Sequence, residues 1–575
     1  MLKLVLGGSG SGKTTLLYSR IRARAEAGRY SILLVPEQFT SSTEGRIYRE
    51  LGDALSGMVE SFSFTSLAEK ILSTEGGAAV QTLSDAGRAV LVRRALEELQ
   101  DNVHYYHRHR RSAAFCQMAA QTIDELKSAG LSGRQLAQLA GACGAESGKL
   151  SELALIFQGY ETLLARSGMD PSDRLELAGA RLEEALARHS LPEFLRDRAV
   201  FIDEFDTFNA PKKRLLGALL AALPSVTVAL CDDGAPLLPG DLSLFSGAKQ
   251  VAAQLRQLAR KNGAEVAVPQ LLRKDLRHRN APGLAAVAEL LETGSCTADA
   301  PAGEVRLFAA PSREEEARAA AGAIRRLMRQ GVRCGKIAVV CRDIARYRAA
   351  VRYEFRMAEI PLYCDEPTTP EFSAPATAVR ALLEIARGAD LTENLTTLAK
   401  TGLCALSEEQ VCALENYAYT WAPTAAAWRE KFERSPKGFG EQELTEEDLR
   451  NRERAEHARA LLVGAVDAFR AKVRGVNAEA ISRAVYFCLK TLGAEEQQAA
   501  QVKAIRAGRG IPAAEEAARE WNVVMGLLNE MAHLLGEQTV TVAEYEDLFG
   551  LLLRSSDLGH IPQTLEMMVV VCSDI

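Results

Sequence analysis

One glycine-rich stretch near the start of the chain restricts the folds that are open to it. Residues 2–6 form a short apolar run bounded by glycine, which predicts a buried strand. Residues 7–14 then read G-G-S-G-S-G-K-T, and apolar residues recur at helical spacing from Leu16 to Ile21. A strand, this motif and a helix in succession are the context of a P-loop. The sequence therefore predicts an α/β fold whose first strand leads into a phosphate-binding loop.

Each residue type of the motif has a chemical reason. Glycines let the backbone approach phosphate oxygens closely and turn its N–H groups toward them, and the helix N-terminus adds a partial positive charge. Lys13 is expected to reach the β- and γ-phosphates of ATP, and the Thr14 hydroxyl to bind the accompanying Mg²⁺. The predicted nucleotide-binding residues of this loop are Gly7, Gly8, Ser9, Gly10, Ser11, Gly12, Lys13, Thr14 and Thr15.

A second apolar strand is predicted to complete the nucleotide site. Residues 198–202 are mostly apolar, and Asp203 and Glu204 follow directly. An Asp at the end of such a strand can hold the Mg²⁺ shell, and the next Glu can orient an attacking water. We therefore expect Asp203 to be a metal residue with Thr14, and Glu204 to be a candidate catalytic residue.

Composition limits the broad class of the protein. The 575 residues carry 47% hydrophobic and 25% charged residues with a net charge of −6, so DNA binding would need local basic patches. No run of 18 apolar residues is present, so we expect no membrane partner. The eleven cysteines contain no C-x-x-C pair, which with the lack of a signal peptide predicts a cytoplasmic chain with reduced thiols.

The pattern along the chain predicts two α/β lobes, each interrupted by helices. We expect a first lobe at 1–83 plus 196–280 with a helical insertion at 84–195, and a second lobe at 300–388 plus 555–575 with a helical insertion at 389–554. Strands are predicted at 305–308 and 567–572.

Residues 313–356 carry twelve Lys or Arg and five Asp or Glu, a net charge of +7 that could line a phosphate-bearing groove. Within this segment, Arg342 follows a strand and is a candidate for contact with the γ-phosphate. Because a strand as apolar as 567–572 should be followed by more sheet, we expect the sequence to be part of a longer protein.

Two segments are candidates for contact with single-stranded DNA. One is the polar loop at 36–42 after the second strand, where Gln38 and Thr40 stand beside one aromatic residue. The other is the region at 61–65 with Ser63 and Thr65, of which Thr65 is also a candidate helix cap. An ordinary surface loop is the alternative. The cluster at 104–111 holds three histidines, and its alternatives are a DNA grip, a solvated surface or, least favoured, a metal site.

The ordered set of segments resembles the AddB family, which forms one half of the bacterial AddAB ATP-dependent helicase–nuclease. The resemblance rests on segments along the whole chain: residues 7–14, 33–38, 61–64, 337–342, 360–365, 414–417 with Trp428, and 561–563. The two-lobe plan is similar to superfamily 1 helicases, so two RecA-like P-loop lobes are expected.

The resemblance implies a role in double-strand break repair. Members of this family pair with an AddA-type helicase–nuclease partner, bind duplex-end and single-stranded DNA, scan the single strand for Chi and use ATP and Mg²⁺. Their nuclease and iron–sulfur cluster lie in a C-terminal half beyond this sequence, so we expect this chain alone to be neither helicase nor nuclease. Glu204 departs from the Gly common at that position, and the G-D-x-x-Q motif is missing after Leu230. The alternatives are a stand-alone P-loop ATPase and a structural subunit with a vestigial site.

Overall fold

The structure is a computed structural model, and it divides into two compact units. It describes residues 1–77, 82–110, 112–142, 144, 147–295, 302–364, 368–440, 443–536, 539–559 and 568–572. The first unit contains Met1–Leu83 and Gln121–Phe308, and the second contains Ser84–Ala120 and Ala309–Ile575. Each unit carries a parallel sheet with helices around it, which confirms the α/β class.

The strands and helices are numbered in chain order. The strands are β1 (Leu2–Gly7), β2 (Ser31–Leu34), β3 (Val59–Phe62), β4 (Ala199–Ile202), β5 (Ser225–Cys231), β6 (Gln270–Leu272), β7 (Ala338–Val340), β8 (Leu362–Cys364) and β9 (Val569–Cys572). The α-helices up to the end of the first unit are α1 (Lys13–Glu26), α2 (Thr40–Leu51), α3 (Asp53–Ser56), α4 (Phe64–Glu75), α5 (Asp85–Glu98), α6 (Ala113–Ser128), α7 (Gly133–Ala140), α8 (Ser147–Ser167), α9 (Pro171–Ala187), α10 (Ala210–Ala222), α11 (Ser246–Lys261) and α12 (Pro282–Thr293). The α-helices that follow are α13 (Arg313–Arg329), α14 (Ile344–Met357), α15 (Ala374–Arg387), α16 (Leu391–Lys400), α17 (Glu408–Trp421), α18 (Glu446–Lys472), α19 (Ala478–Thr491), α20 (Ala494–Arg509), α21 (Ile511–Leu535) and α22 (Val542–Ser555).

The sheet of the first unit is parallel throughout its described strands, in the order β3-β2-β4-β5-β1-β6. Strand β1 lies between β5 and β6, with Val5 opposite Ala229 on one side and Gln270 on the other. Parallel strands end at the same edge of a sheet, and ligands of α/β proteins bind at that carboxyl edge. The loop after β1, the residues after β4 and the residues after β6 therefore lie at one edge.

Alternate residues of β1 explain why this sheet is buried on both faces. Leu4 and Leu6 belong to one hydrophobic core, and Val5 belongs to a second core together with Leu17 and Ile21 of α1. Successive side chains of a strand point to opposite faces, so an apolar run without alternation places apolar groups against helices on both sides. The covering helices fix β1 and α1, which bracket the glycine-rich loop.

A buried charge cluster ties together the helices that follow β3 in the first unit. The Lys127 Nζ lies 2.7 Å from Asp170 Oδ2 and 2.7 Å from Asp173 Oδ2, and the Tyr160 hydroxyl lies 2.5 Å from Asp170 Oδ1. The Asp170 side chain is 1% exposed. Helix α9, which Asp170 precedes, packs against α4 and α10. The cluster therefore holds the helical segment onto the sheet-covering layer.

The second unit has a smaller parallel sheet, which in the described residues runs β7-β9-β8. Val569 and Val571 of its central strand are fully buried in a core with Phe355. Among the helical segments of this unit, Trp428 is fully buried, and its indole N–H donates to Thr392 Oγ1 at 2.8 Å. Helices α16 to α22 lie within residues 389–555, while the division of this range as a separate helical insertion stays a prediction.

Two local predictions are wrong. Residues 305–308 form no strand, and Leu307 and Phe308 are exposed, because no described strand pairs with this apolar segment. Thr65 does not cap a helix, because α4 begins one residue earlier at Phe64 and is capped by Ser63, whose Oγ accepts the Ser66 N–H at 3.0 Å.

The units also divide the chain differently from the predicted domains at one place. Ser84–Ala120 clusters with the second unit, where α5 packs against α21 and α22 and the Ser84 hydroxyl donates to Glu530 Oε1 at 2.7 Å. Helix α6 runs across the division at residue 120. The four-part domain division itself stays a prediction.

Candidate functional site

The glycine-rich loop after β1 turns sharply before α1 begins at Lys13. Gly10 and Gly12 adopt φ angles of 75° and 88° in the left-handed region, which side chains with a Cβ disfavour. Space is also restricted, because a Cβ on Gly7 would lie 2.7 Å from the Leu272 carbonyl oxygen. The loop thus needs glycine both for its conformation and for the close approach of β6.

Lys13 folds back over this loop. Its Nζ donates to the carbonyl oxygens of Gly7 and Gly8, each at 2.8 Å. Ser11 is 6% exposed, and its hydroxyl has no hydrogen-bond partner among the described residues. The loop therefore places one ammonium group and one unpaired hydroxyl at its centre, both suited to phosphate oxygens.

Asp203 and Glu204 lie at the carboxyl end of β4, beside this loop. Asp203 is 5% exposed and lines the same cavity as Thr14. Burial raises the pKa of the Asp203 carboxyl, and the neighbouring Thr14 side chain opposes that change. Glu204 has a φ of 64°, and its N–H donates to Asp203 Oδ1 at 3.1 Å. Partial burial and then the neighbouring Asp203 charge raise the pKa of Glu204.

A cavity of about 510 Å³ joins the loop to these two carboxylates. Its described lining combines loop residues, acidic residues after β4 and residues from three other segments: Ser9, Gly10, Gly12, Lys13, Thr14, Thr15, Arg46, Asp203, Glu204, Phe205, Asp206, Ala229, Cys231, Leu276 and Arg277. The structure thus brings Lys13, Thr14, Asp203 and Glu204 to the lining of one cavity. Their roles toward a nucleotide stay predictions.

Sequence reasoning missed the segment after β6, which lies across the glycine-rich loop. The Leu276 N–H donates to the Gly10 carbonyl oxygen at 2.9 Å, and Arg277 Nη1 lies 3.5 Å from Ser9 Oγ. His278 Nδ1 lies 2.8 Å from Asp275 Oδ2, which helps to hold the turn. The signal in the sequence was the basic run at 273–279, but its position depends on the pairing of the short β6 with β1.

The residues predicted to contact DNA are placed in different settings. The backbone at Gln38 is in a short 3-10 helix and Thr40 begins α2, while the side chains of both lie outside the described part of the chain. Ser63 is 5% exposed and its hydroxyl is engaged in the α4 cap, whereas Thr65 is exposed. The role of these residues in DNA binding stays a prediction.

The other candidates belong to the second unit. Arg342 is exposed and follows Cys341, whose N–H donates to the Cys572 carbonyl oxygen at 2.9 Å. The histidine cluster forms a 3-10 turn at His107–His109, while Arg111 lies outside the described residues. Among the described residues no group of three or more His, Cys, Asp or Glu could hold a metal, and no described helix is long and apolar enough to cross a membrane.

The glycine-rich motif lies between the first strand and the first helix of a parallel sheet flanked by helices, which places the chain in the class of α/β proteins. Comparison with known proteins is more specific. A family model described as ADDB, N-terminal, matches residues 4–288. The chain belongs to this AddB family.

Relatives match along nearly the full chain, and each is named as the B subunit of an ATP-dependent helicase/deoxyribonuclease. The chain is 30% identical to the protein from Moorella thermoacetica, across 99% of this chain and 50% of the relative. Identity with the protein from Desulforudis audaxviator is also 30%, across 99% and 50%. The Geobacillus thermodenitrificans protein is 27% identical, across 100% and 51%. The chain thus spans about half the length of the curated relatives it matches.

Proposed function

We propose that the first unit binds ATP with Mg²⁺ in the cavity at the carboxyl edge of its sheet. The observation that carries the proposal is that Thr14, directly after the glycine-rich loop, and Asp203, at the end of β4, line one cavity. A hydroxyl and a carboxylate in these two positions are the pair that P-loop proteins use for Mg²⁺. Because Lys13 lines the same cavity, the groups for phosphate and for metal converge.

The residues present fit such a ligand. The buried Ser11 hydroxyl lacks a partner among the described residues, and Lys13 donates only to carbonyl groups of its own loop. Lys13 and the loop N–H groups would hold phosphate oxygens, and Thr14 and Asp203 would hold Mg²⁺, which supplies positive charge to the phosphates when bound. Glu204 stands where it can orient a water molecule, so slow ATP hydrolysis is consistent with this site.

Titration calorimetry with ATP, in the presence and absence of Mg²⁺, tests the proposal. We expect Mg²⁺ to strengthen ATP binding, and Asp203→Asn to remove most of that gain because the carboxylate charge is lost. Asp101→Asn is the matched control, since Asp101 is exposed and outside the cavity. Failure of the unaltered chain to bind ATP, or binding that ignores Mg²⁺, would refute the proposal.

We further propose that the chain is part of a heterodimeric helicase–nuclease that processes double-strand breaks. The similarity to proteins named as helicase/deoxyribonuclease subunits supports this role, and the word subunit in those names supports a partner, for which an AddA-type protein is the candidate. Two parallel sheets flanked by helices are consistent with two RecA-like lobes. Within that complex, the chain would scan single-stranded DNA for Chi.

The proposed DNA path runs along the carboxyl edges of the sheets, past residues 38–42 and 61–65. Because phosphate contacts release counterions, binding of single-stranded DNA should weaken as salt is raised. Photo-crosslinking of bound single-stranded DNA followed by peptide mapping would locate the contacts. Crosslinks confined to residues 389–538 would refute this path.

A further inference from the structure

We propose that Arg46 contacts the terminal phosphate of the nucleotide and makes the first unit prefer ATP over ADP. This inference rests on the proposed nucleotide function and adds a residue to it. Arg46 stands outside the P-loop motif and outside the acidic pair after β4. Its assignment therefore depends on four features of the structure: its place in the cavity, the ring that supports its guanidinium, its unused hydrogen-bond donors and its effect on both carboxyls after β4.

The place of Arg46 is fixed by helix α2. Arg46 lies in the second half of α2, is half-buried, and lines the 510 Å³ cavity together with Asp203 and Glu204. Its guanidinium lies over the ring of Tyr18, 5.0 Å from the centroid. Tyr18 belongs to α1 and is 5% exposed, so the platform under the guanidinium is itself held in the core. A stacked arginine of this kind is pre-oriented toward the cavity.

The hydrogen-bonding capacity of Arg46 is unused. Within the described part of the chain, its guanidinium takes part in no hydrogen bond or ion pair, although it carries five N–H donors in a planar fork. The positive charge of Arg46 acts on both neighbouring carboxyl groups: it opposes the rise in pKa that burial causes at Asp203 and Glu204. A planar fork facing a cavity matches the geometry of phosphate oxygens.

The three cations of the cavity occupy different parts of it. The Lys13 Nζ sits within the loop on the Gly7 and Gly8 carbonyls, and Arg277 lies beside Ser9. Arg46 and Lys13 both oppose the rise in the pKa of Asp203, and Arg46 also opposes the rise in the pKa of Glu204. In P-loop proteins the metal pair and the water-orienting carboxylate mark the end where the γ-phosphate is held. Arg46 lines the cavity together with Glu204 and would therefore add a second cation, beside Lys13, for the terminal phosphate.

Charge balance supports the same assignment. Without ligand, the positive charge of Arg46 offsets two adjacent carboxylates in a partly buried site. Mg²⁺ bound by Thr14 and Asp203 would bring its own positive charge to those carboxylates, which leaves the Arg46 donors for phosphate. ADP lacks the terminal phosphate, so this contact should contribute to binding of the triphosphate alone.

The experiment compares two ligands on four forms of the full chain. A non-hydrolysable ATP analogue and ADP, each with Mg²⁺, are titrated into the unaltered chain, Arg46→Gln, Arg46→Lys and the control Arg49→Gln. Arg49 is on the same helix, is exposed and does not line the cavity among the described residues, so it matches the change in charge. We expect Arg46→Gln to weaken binding of the ATP analogue about tenfold and of ADP less than about twofold. Arg46→Lys should lose less, and Arg49→Gln should resemble the unaltered chain.

Retained ADP binding shows that the Arg46→Gln variant is folded. Equal weakening for both ligands, or no change for either, would overturn the assignment of Arg46 while leaving the proposed nucleotide site in place. Absence of nucleotide binding by the unaltered chain would instead refute the proposed function, and the assignment of Arg46 with it. These outcomes separate the two claims.

Discussion

Replacement of Gly10 by alanine should open the segment that lies across the glycine-rich loop. Gly10 has a φ of 75°, and an added Cβ would lie 2.7 Å from the Arg277 Cβ and 2.9 Å from Asp275 Oδ1. The left-handed conformation costs a residue with a Cβ about 1–2 kcal/mol. The segment must also move away, which breaks the 2.9 Å hydrogen bond from Leu276 N–H to the Gly10 carbonyl, worth about 1 kcal/mol. The local free energy of opening should therefore fall by about 2–3 kcal/mol.

Hydrogen–deuterium exchange of the peptide that covers residues 273–279 measures this opening. A loss of about 2–3 kcal/mol corresponds to exchange roughly 30- to 140-fold faster at Leu276. Gly28→Ala is the matched control, because Gly28 has a φ of 70° but an added Cβ would meet nothing within 4 Å. Gly28→Ala has the same unfavourable left-handed backbone conformation, but at a position away from the glycine-rich loop. It should therefore leave the exchange rate of residues 273–279 unchanged. The same exchange rate in Gly10→Ala and the unaltered chain would show that the packing argument is wrong.

Two further predictions concern the buried cluster and the activity of the chain alone. Lys127→Met should lower the free energy of unfolding by about 3–5 kcal/mol, because it leaves the buried Asp170 without its partner. Burial lowers the pKa of Lys127, but the charges of Asp170 and Asp173 outweigh burial and raise this pKa above its ordinary value of 10.5, so the stabilisation should be fully present below pH 10.5 and be lost as pH rises through the higher pKa of the folded state. Calorimetry of both chains at pH 8 and pH 11 measures the size and the pH dependence of this stabilisation. A Lys127→Met variant as stable as the unaltered chain at pH 8 would contradict the prediction. The chain alone should neither unwind nor cut a duplex with a single-stranded tail in ATP and Mg²⁺, and catalytic strand displacement or nicking that disappears in Lys13→Ala would show that it is itself a motor or nuclease.

The sequence was most informative where local pattern decides structure. The apolar run of β1, the glycine motif and the helical spacing after it specify β1, the loop and α1 without any distant contact. Asp203 could be placed because an acidic residue that directly follows a buried strand must emerge at the sheet edge. Lys13 and Asp203 are separated by 190 positions in the sequence, yet the order of the strands in the sheet brings both into the same cavity.

Long-range packing accounts for what the sequence did not reveal. Arg46 enters the cavity because α2 packs beside α1, and no motif marks that position. Residues 275–278 cover the loop only because the three-residue strand β6 pairs with β1. The segment 305–308 has a strand-like composition, but a strand needs a partner, and none is present among the described residues. Ser63 and Thr65 are equally suitable caps by residue type, and the choice of Ser63 follows from where Phe64 is buried.

The central claim is that the glycine-rich loop binds the phosphates of ATP through Lys13. Titration of ATP with Mg²⁺ into the unaltered chain, Lys13→Ala and the control Lys261→Ala tests it most directly, since Lys261 is exposed in the last turn of α11. Loss of the ammonium group should weaken ATP binding by about 2–4 kcal/mol, or roughly 30- to 700-fold, while Lys261→Ala has no effect. Equal ATP affinity in Lys13→Ala and the unaltered chain would contradict the account.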